Sequence, residues 1–215
     1  SYRVIVEYAG NGKFKNKLGD VSTGLVDVSR LGYGISAGDD AIWVCLPYLN
    51  NAGDQIAITW WGDPPNYDVT ATLDYCKQAV PWICQSYGGD PERVILTGFS
   101  RGAIACNYIG LHDDEIAQLW CGFVAYSHYD GVKRWPYPDS DSESARRRLQ
   151  RLAGRPQFIC SESSGGIEST RQWLESTGVE GRFTFVETGF RNHNDAWLLR
   201  PSVARAKLRR WIEQF

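Results

Sequence analysis

The segment Val94-Ile95-Leu96-Thr97-Gly98-Phe99-Ser100-Arg101-Gly102-Ala103 limits the fold of this chain more than any other. The apolar, β-branched run at its start reads as a buried strand, and Ser100 to Leu111 reads as a helix. Gly98-Phe99-Ser100-Arg101-Gly102 must therefore be a tight strand-to-helix turn, the geometry of a nucleophile elbow. Glycines flank the serine because a Cβ on either side would collide with neighbouring backbone. The helix that follows aims its first N–H groups and the positive end of its dipole at the same point. Backbone strain of this kind is kept where chemistry is done, which makes Ser100 the candidate nucleophile.

The rest of the chain alternates strands with helices. A strand from Tyr2 to Glu7 ends in the loop Tyr8-Ala9-Gly10-Asn11-Gly12, and residues 13–40 read as irregular with room for one short helix. Ala41 to Leu49 reads as a strand buried on both faces. A helix follows from about Val69 to Ser86, capped by Asp68 or Thr70, with a kink or break expected at Pro81 and an end at Gly88-Gly89. After the elbow, Trp120 to Tyr126 is a strand, and a long Pro-containing loop runs through Ser144. The basic helix Glu143 to Leu152, with Arg146, Arg147, Arg148 and Arg151, reads as a solvated face rather than a phosphate site. Strands at 157–160 and 182–186 and helices at 167–176 and 201–214 complete the chain. This order predicts a single α/β domain over residues 1–215, a three-layer α/β/α sandwich around a mostly parallel sheet.

Composition restricts the partners. With 23 Lys+Arg against 25 Asp+Glu the net charge is −2, so no overall field favours nucleic acid or an anionic membrane, and no apolar run approaches the length needed to cross a bilayer. The six cysteines match neither a zinc module nor a C-x-x-C pair, and no metal or cofactor is expected. Cys45 and Cys160 lie in apolar strand-like runs as small hydrophobes, and the disulfide state stays open. The chain opens at Ser1 and enters a strand almost at once, so an upstream segment removed for secretion is compatible with it; the compartment is left open, as is the oligomeric state.

A base for Ser100 must come from three histidines, His112, His128 and His193. In a doubly wound sheet, active residues gather past the carboxyl ends of the strands, where the loop after the last strand carries His193. His112 sits at the far end of the elbow helix, and His128 follows a strand as a candidate pocket residue. The third group, which must hold the imidazole's tautomer, is Glu162 by chain order; Asp130 is the main rival and Glu168 a further choice, while Asp195 stands too close to His193 in sequence. For the oxyanion, the backbone N–H of Arg101 is one donor, with Gly10 or Asn11 supplying the other. Aromatic surface for a substrate comes from Trp60, Trp61, Trp135 and Tyr137; of the adjacent pair Trp60-Trp61, the two must point in different directions if the segment is extended.

The elbow at Ser100, the glycine loop after an early strand and His193 after the last strand resemble the α/β-hydrolase family over nearly the whole chain. Within it the chain looks most like compact esterases resembling polyhydroxyalkanoate depolymerases and carbohydrate or feruloyl esterases. The resemblance implies a serine esterase with an acyl-enzyme on Ser100, acting on a carbohydrate-linked, aromatic or short acyl ester, so that the partner is a small-molecule or glycan ester. Two departures stand out: Tyr8 replaces the histidine usual before the glycine loop, and the initial antiparallel strands are missing or cut off. Two other readings share these residues, a catalytically silent glycan-binding domain and an amide or peptide hydrolase.

Overall fold

The computed structural model describes residues 1–10, 14–15, 17, 19, 21–38, 40–62, 64–190 and 192–215. Six strands form one sheet: β1 (Tyr2–Tyr8), β2 (Ala41–Leu46), β3 (Gly89–Phe99), β4 (Gly122–Tyr126), β5 (Pro156–Ser161) and β6 (Arg182–Glu187). They lie in the order β6-β5-β4-β3-β1-β2, and every neighbouring pair is parallel. The chain starts in the middle of the sheet, steps to one side with β2, and then returns across β1 to build the other side. That reversal leaves a crevice outside the carboxyl ends of β1 and β3, where open α/β sheets bind ligands. Ser100 follows β3 directly.

Strand alternation divides the core in two. Val4, Val6, Val94, Leu96, Phe123 and Ile159 face one side, and they pack against α2 (Thr70–Tyr87), α3 (Arg101–Tyr108), α5 (Ser142–Leu149) and α6 (Ser164–Thr177). Ile5, Ile95, Val124 and Phe158 face the other, under α1 (Leu31–Ser36) and α7 (Val203–Ile212). Burial on both faces is why β1, β3, β4 and β5 read as apolar runs, whereas β2, expected to run from Ala41 to Leu49 buried on both faces, stops at Leu46 and is only half-buried because it forms the edge of the sheet. The short helix α4 (Asp114–Ala117) and two small antiparallel ribbons lie outside this frame. All six cysteines are free thiols, and no helix among the described residues is long and apolar enough to cross a membrane.

Three local expectations are corrected. The helix carrying Pro81 does not break: it runs from Thr70 to Tyr87 with Pro81 on its exposed face, where water can take the Lys77 carbonyl that loses its donor. The helix rich in arginine is not wholly solvated: Arg148 is buried and forms a two-pronged ion pair with Asp130, Nε to Oδ2 at 2.9 Å and Nη2 to Oδ1 at 3.1 Å. The fourth strand begins at Gly122, since the Trp120 indole turns aside to donate to the Gly110 carbonyl.

Candidate active site

The elbow owes its shape to close backbone contacts. Ser100 sits at φ 54°, ψ −116°, in the left-handed half of conformational space that a serine adopts only when its surroundings impose it. A Cβ on Gly98 would lie 2.0 Å from the Gly102 carbonyl oxygen, and one on Gly102 would lie 2.0 Å from the Tyr8 oxygen. Both glycines are thus demanded by packing, the second because the loop after β1 runs across the first turn of α3. The loop is fixed by Tyr48, whose hydroxyl donates to the Ala9 carbonyl at 2.8 Å, and a Cβ on Gly10 would strike the Phe99 ring at 2.5 Å. Gly10 therefore lies against the elbow, whereas Asn11 lies outside the described residues.

Three side chains meet over this turn. His193 Nε2 is 2.9 Å from Ser100 Oγ, and His193 Nδ1 is 2.9 Å from Glu162 Oε1. A hydrogen on Nδ1 donated to the carboxylate leaves Nε2 free to accept from the serine hydroxyl, so the two bonds select one tautomer. The acid is the shielded partner, 18% exposed against 45% for the histidine. Burial raises the affinity of the Glu162 carboxyl for its proton, but the hydrogen bond with His193 and further hydrogen bonds and charge outweigh this, and its pKa lies below the ordinary value. The imidazole itself packs on Phe99, with ring centroids 4.8 Å apart.

The other candidates for the acid are committed elsewhere. Asp130 is held by Arg148, which also donates to the Asp139 carbonyl at 2.8 Å and so ties the long loop to α5. Asp195 pairs with Arg30 at 3.1 Å beneath the histidine loop, and Glu168 is exposed on α6, where it accepts from Gln172. His112 contacts the Tyr108 carbonyl at 3.3 Å at the end of the elbow helix. Glu7 belongs to the framework: its buried carboxyl group accepts from the Leu31 and Gly32 N–H groups and from the Trp43 indole at 2.8 Å.

Ser127, which no sequence motif marks, is a further neighbour of the histidine. Its Oγ lies 3.2 Å from His193 Nδ1 and 3.1 Å from His128 Nδ1, and its φ of 83° is unusual for a residue with a side chain. That conformation turns the chain at the end of β4 so that the hydroxyl faces the histidine pair. His128 stands 5.5 Å from His193, ring to ring, and burial, reinforced by His193, lowers its pKa to about 4, so it is neutral at pH 7.

A cavity of about 60 Å³ opens beside Ser100, lined by Ser100, Arg101, Ile104, His128, Trp135 and Tyr137. The long loop after β4 supplies Trp135 and Tyr137, and the Ser140 hydroxyl braces it by bonding both the N–H and the carbonyl of Trp135. Trp60 does not reach this space, contrary to expectation. It is fully buried, edge-on to Trp61 at 4.8 Å and surrounded by Tyr48, Tyr108 and Tyr137. Trp61 is the partly exposed member of the pair; its ring stacks on Tyr137 at 4.2 Å and carries the Arg101 guanidinium at 4.4 Å. A larger cleft of about 650 Å³ lies at the amino-terminal ends of the central strands β1 and β3, bordered by Arg3, Asp40, Arg93 and Arg209, at the other end of the strands from Ser100.

A doubly wound parallel sheet with a strained serine turn at its switch point is the α/β-hydrolase fold, and solved structures agree. An esterase from Rhizomucor miehei superposes with a TM-score of 0.60 at 14% identity, over 99% of this chain and 73% of that one. A sugar hydrolase from Lactococcus lactis gives 0.58 at 17% identity, over 100% and 86%. A ferulic acid esterase gives 0.56 at 15% identity, over 98% and 83%. No protein-family model matches the chain, and no curated protein matches it in sequence. The likeness at these identities is one of fold.

Proposed function

We propose that the chain is a serine carboxylic-ester hydrolase that works through an acyl-enzyme on Ser100. The observation that carries this reading is the unbroken hydrogen-bonded line Ser100–His193–Glu162, with both links at 2.9 Å. Ser100 Oγ attacks the ester carbonyl while His193 Nε2 takes its proton, and the Glu162 carboxylate stabilises the imidazolium that forms. The developing oxyanion is received by the Arg101 N–H, in the first turn of α3 where no intrahelical acceptor exists, with the loop at Gly10 and Asn11 as the source of the second donor. His193 then returns the proton to the departing alcohol. A water activated at the same nitrogen attacks the acyl-enzyme, the acid leaves, and Ser100 is restored.

The reaction class draws support from the solved structures of this fold, which are described as esterases and a sugar hydrolase. For the substrate, the small cavity favours a short acyl group, and Trp135 in its lining offers aromatic surface to an aromatic or carbohydrate-linked ester. The test is turnover of p-nitrophenyl acetate. The wild type should show saturable hydrolysis and Ser100→Ala should lose it to background, a fall of roughly 10³-fold or more; retained activity in that variant overturns the reading.

A further inference from the structure

The arginines of this protein that approach carboxylates include Arg30 with Asp195, Arg146 with Glu143, Arg148 with Asp130 and Arg151 with Asp114. Arg101 differs. Its guanidinium has no carboxylate and no hydrogen-bond partner among the described residues, although it stands over the Trp61 ring at 4.4 Å and lines the cavity that opens on Ser100. None of the other lining residues is acidic, and His128 contributes no negative charge in either protonation state. Tyr137 lines the same cavity, is 6% exposed, and has a buried hydroxyl without a hydrogen-bond partner among the described residues.

A half-buried cation with no counter-ion among the described residues has given up part of its hydration without replacement by them. Burial lowers the pKa of the Arg101 guanidinium to about 10, so it keeps its charge at neutral pH. The planar fork of N–H groups suits a carboxylate, which it can hold by two parallel bonds. The space fits as well: about 60 Å³ is roughly the share of two waters in the liquid, enough for a carboxylate or a short group bearing one. Stacking on Trp61 accounts for the orientation of the guanidinium but leaves its N–H groups available.

We propose that the cavity beside Ser100 is an anion subsite in which the Arg101 guanidinium receives a carboxylate, so that the preferred substrates are esters carrying a carboxylate within a few bonds of the scissile carbonyl. This rests on the ester-hydrolase reading above. The carboxylate can belong to the acyl group, as in the half-ester of a short dicarboxylic acid, or to the alcohol.

Two matched pairs of esters separate these sources. Ethyl hydrogen glutarate against ethyl pentanoate places the charge on the acyl side, and 3-acetoxybenzoate against methyl 3-acetoxybenzoate places it on the alcohol side. The wild type should favour the charged member of one pair by roughly ten- to a hundredfold in kcat/KM, and Arg101→Met should bring that ratio to about one. Equal or slower turnover of both charged esters overturns the subsite while leaving the hydrolase reading intact. Parallel loss on charged and neutral esters in Arg101→Met, with the ratio kept, also overturns it, since stacking on Trp61 would then be the whole role of the side chain. Absence of turnover on all four esters overturns the hydrolase reading, and calorimetry then decides the subsite. Ethyl hydrogen glutarate or 3-acetoxybenzoate should bind Ser100→Ala and fail to bind the Ser100→Ala/Arg101→Met double variant; no binding to the first, or equal binding to both, overturns the subsite.

Discussion

In the proposed mechanism Glu162 is what makes His193 a base rather than a neighbour of Ser100. Its carboxylate accepts from His193 Nδ1 at 2.9 Å, and an amide in its place would accept as well as donate, so the imidazole could adopt the wrong tautomer. Glu162→Gln should lower kcat by roughly 10²- to 10⁴-fold with little change in KM, read from steady-state kinetics on p-nitrophenyl acetate. A change confined to KM would place Glu162 in binding instead. At this scale the sequence was informative where chain order does the work. Ser100, Glu162 and His193 each follow a strand in the sequence, and all three lie together in space. It was silent on Ser127, whose importance is a backbone angle, and it could not choose between Trp60 and Trp61, because alternation says that neighbours diverge but not which one turns inward.

The elbow and the β1 loop form one packed unit. Gly102 lets the Tyr8 carbonyl approach α3, and a methyl group there would have to push apart backbone on both sides. Gly102→Ala should therefore destabilise the fold by roughly 1–3 kcal/mol and depress kcat by displacing the donors around Ser100. Thermal unfolding and kinetics on the same preparation test this, and an unchanged Tm would contradict the packing argument. Strand and helix identities were legible because apolar runs and glycine punctuation are local signals. Pro81 misled because the penalty of a proline depends on whether its face meets water, and Arg148 misled because its partner Asp130 lies in another element.

Across the whole molecule, Glu7 joins pieces that the sequence holds far apart. It lies in β1, binds the start of α1 and the Trp43 indole of β2, and is close enough to Asp195, below the His193 loop, to feel its charge. Burial, aided by Asp195, lifts its pKa from 4.5 to about 8 despite three N–H donors. A carboxyl with a raised pKa contributes stability that is fully present below its unfolded value and is lost as pH rises through its folded one. The contribution of Glu7 should thus fade between about pH 4.5 and 8. Glu7→Gln, which cannot ionise, should gain Tm relative to the wild type as pH is raised from 5 to 9; a constant difference would contradict this. No periodicity or motif announces such a contact, because it depends on how the sheet and its covering helices are stacked.

If the molecule is a catalyst with Ser100 as its nucleophile, the most direct measurement is covalent. The wild type treated with a fluorophosphonate should gain the mass of one phosphonyl group, mapped by peptide mass spectrometry to Ser100, with labelling slowed strongly in His193→Ala. A folded wild type that remains unlabelled, or that is labelled at another residue, would contradict the account.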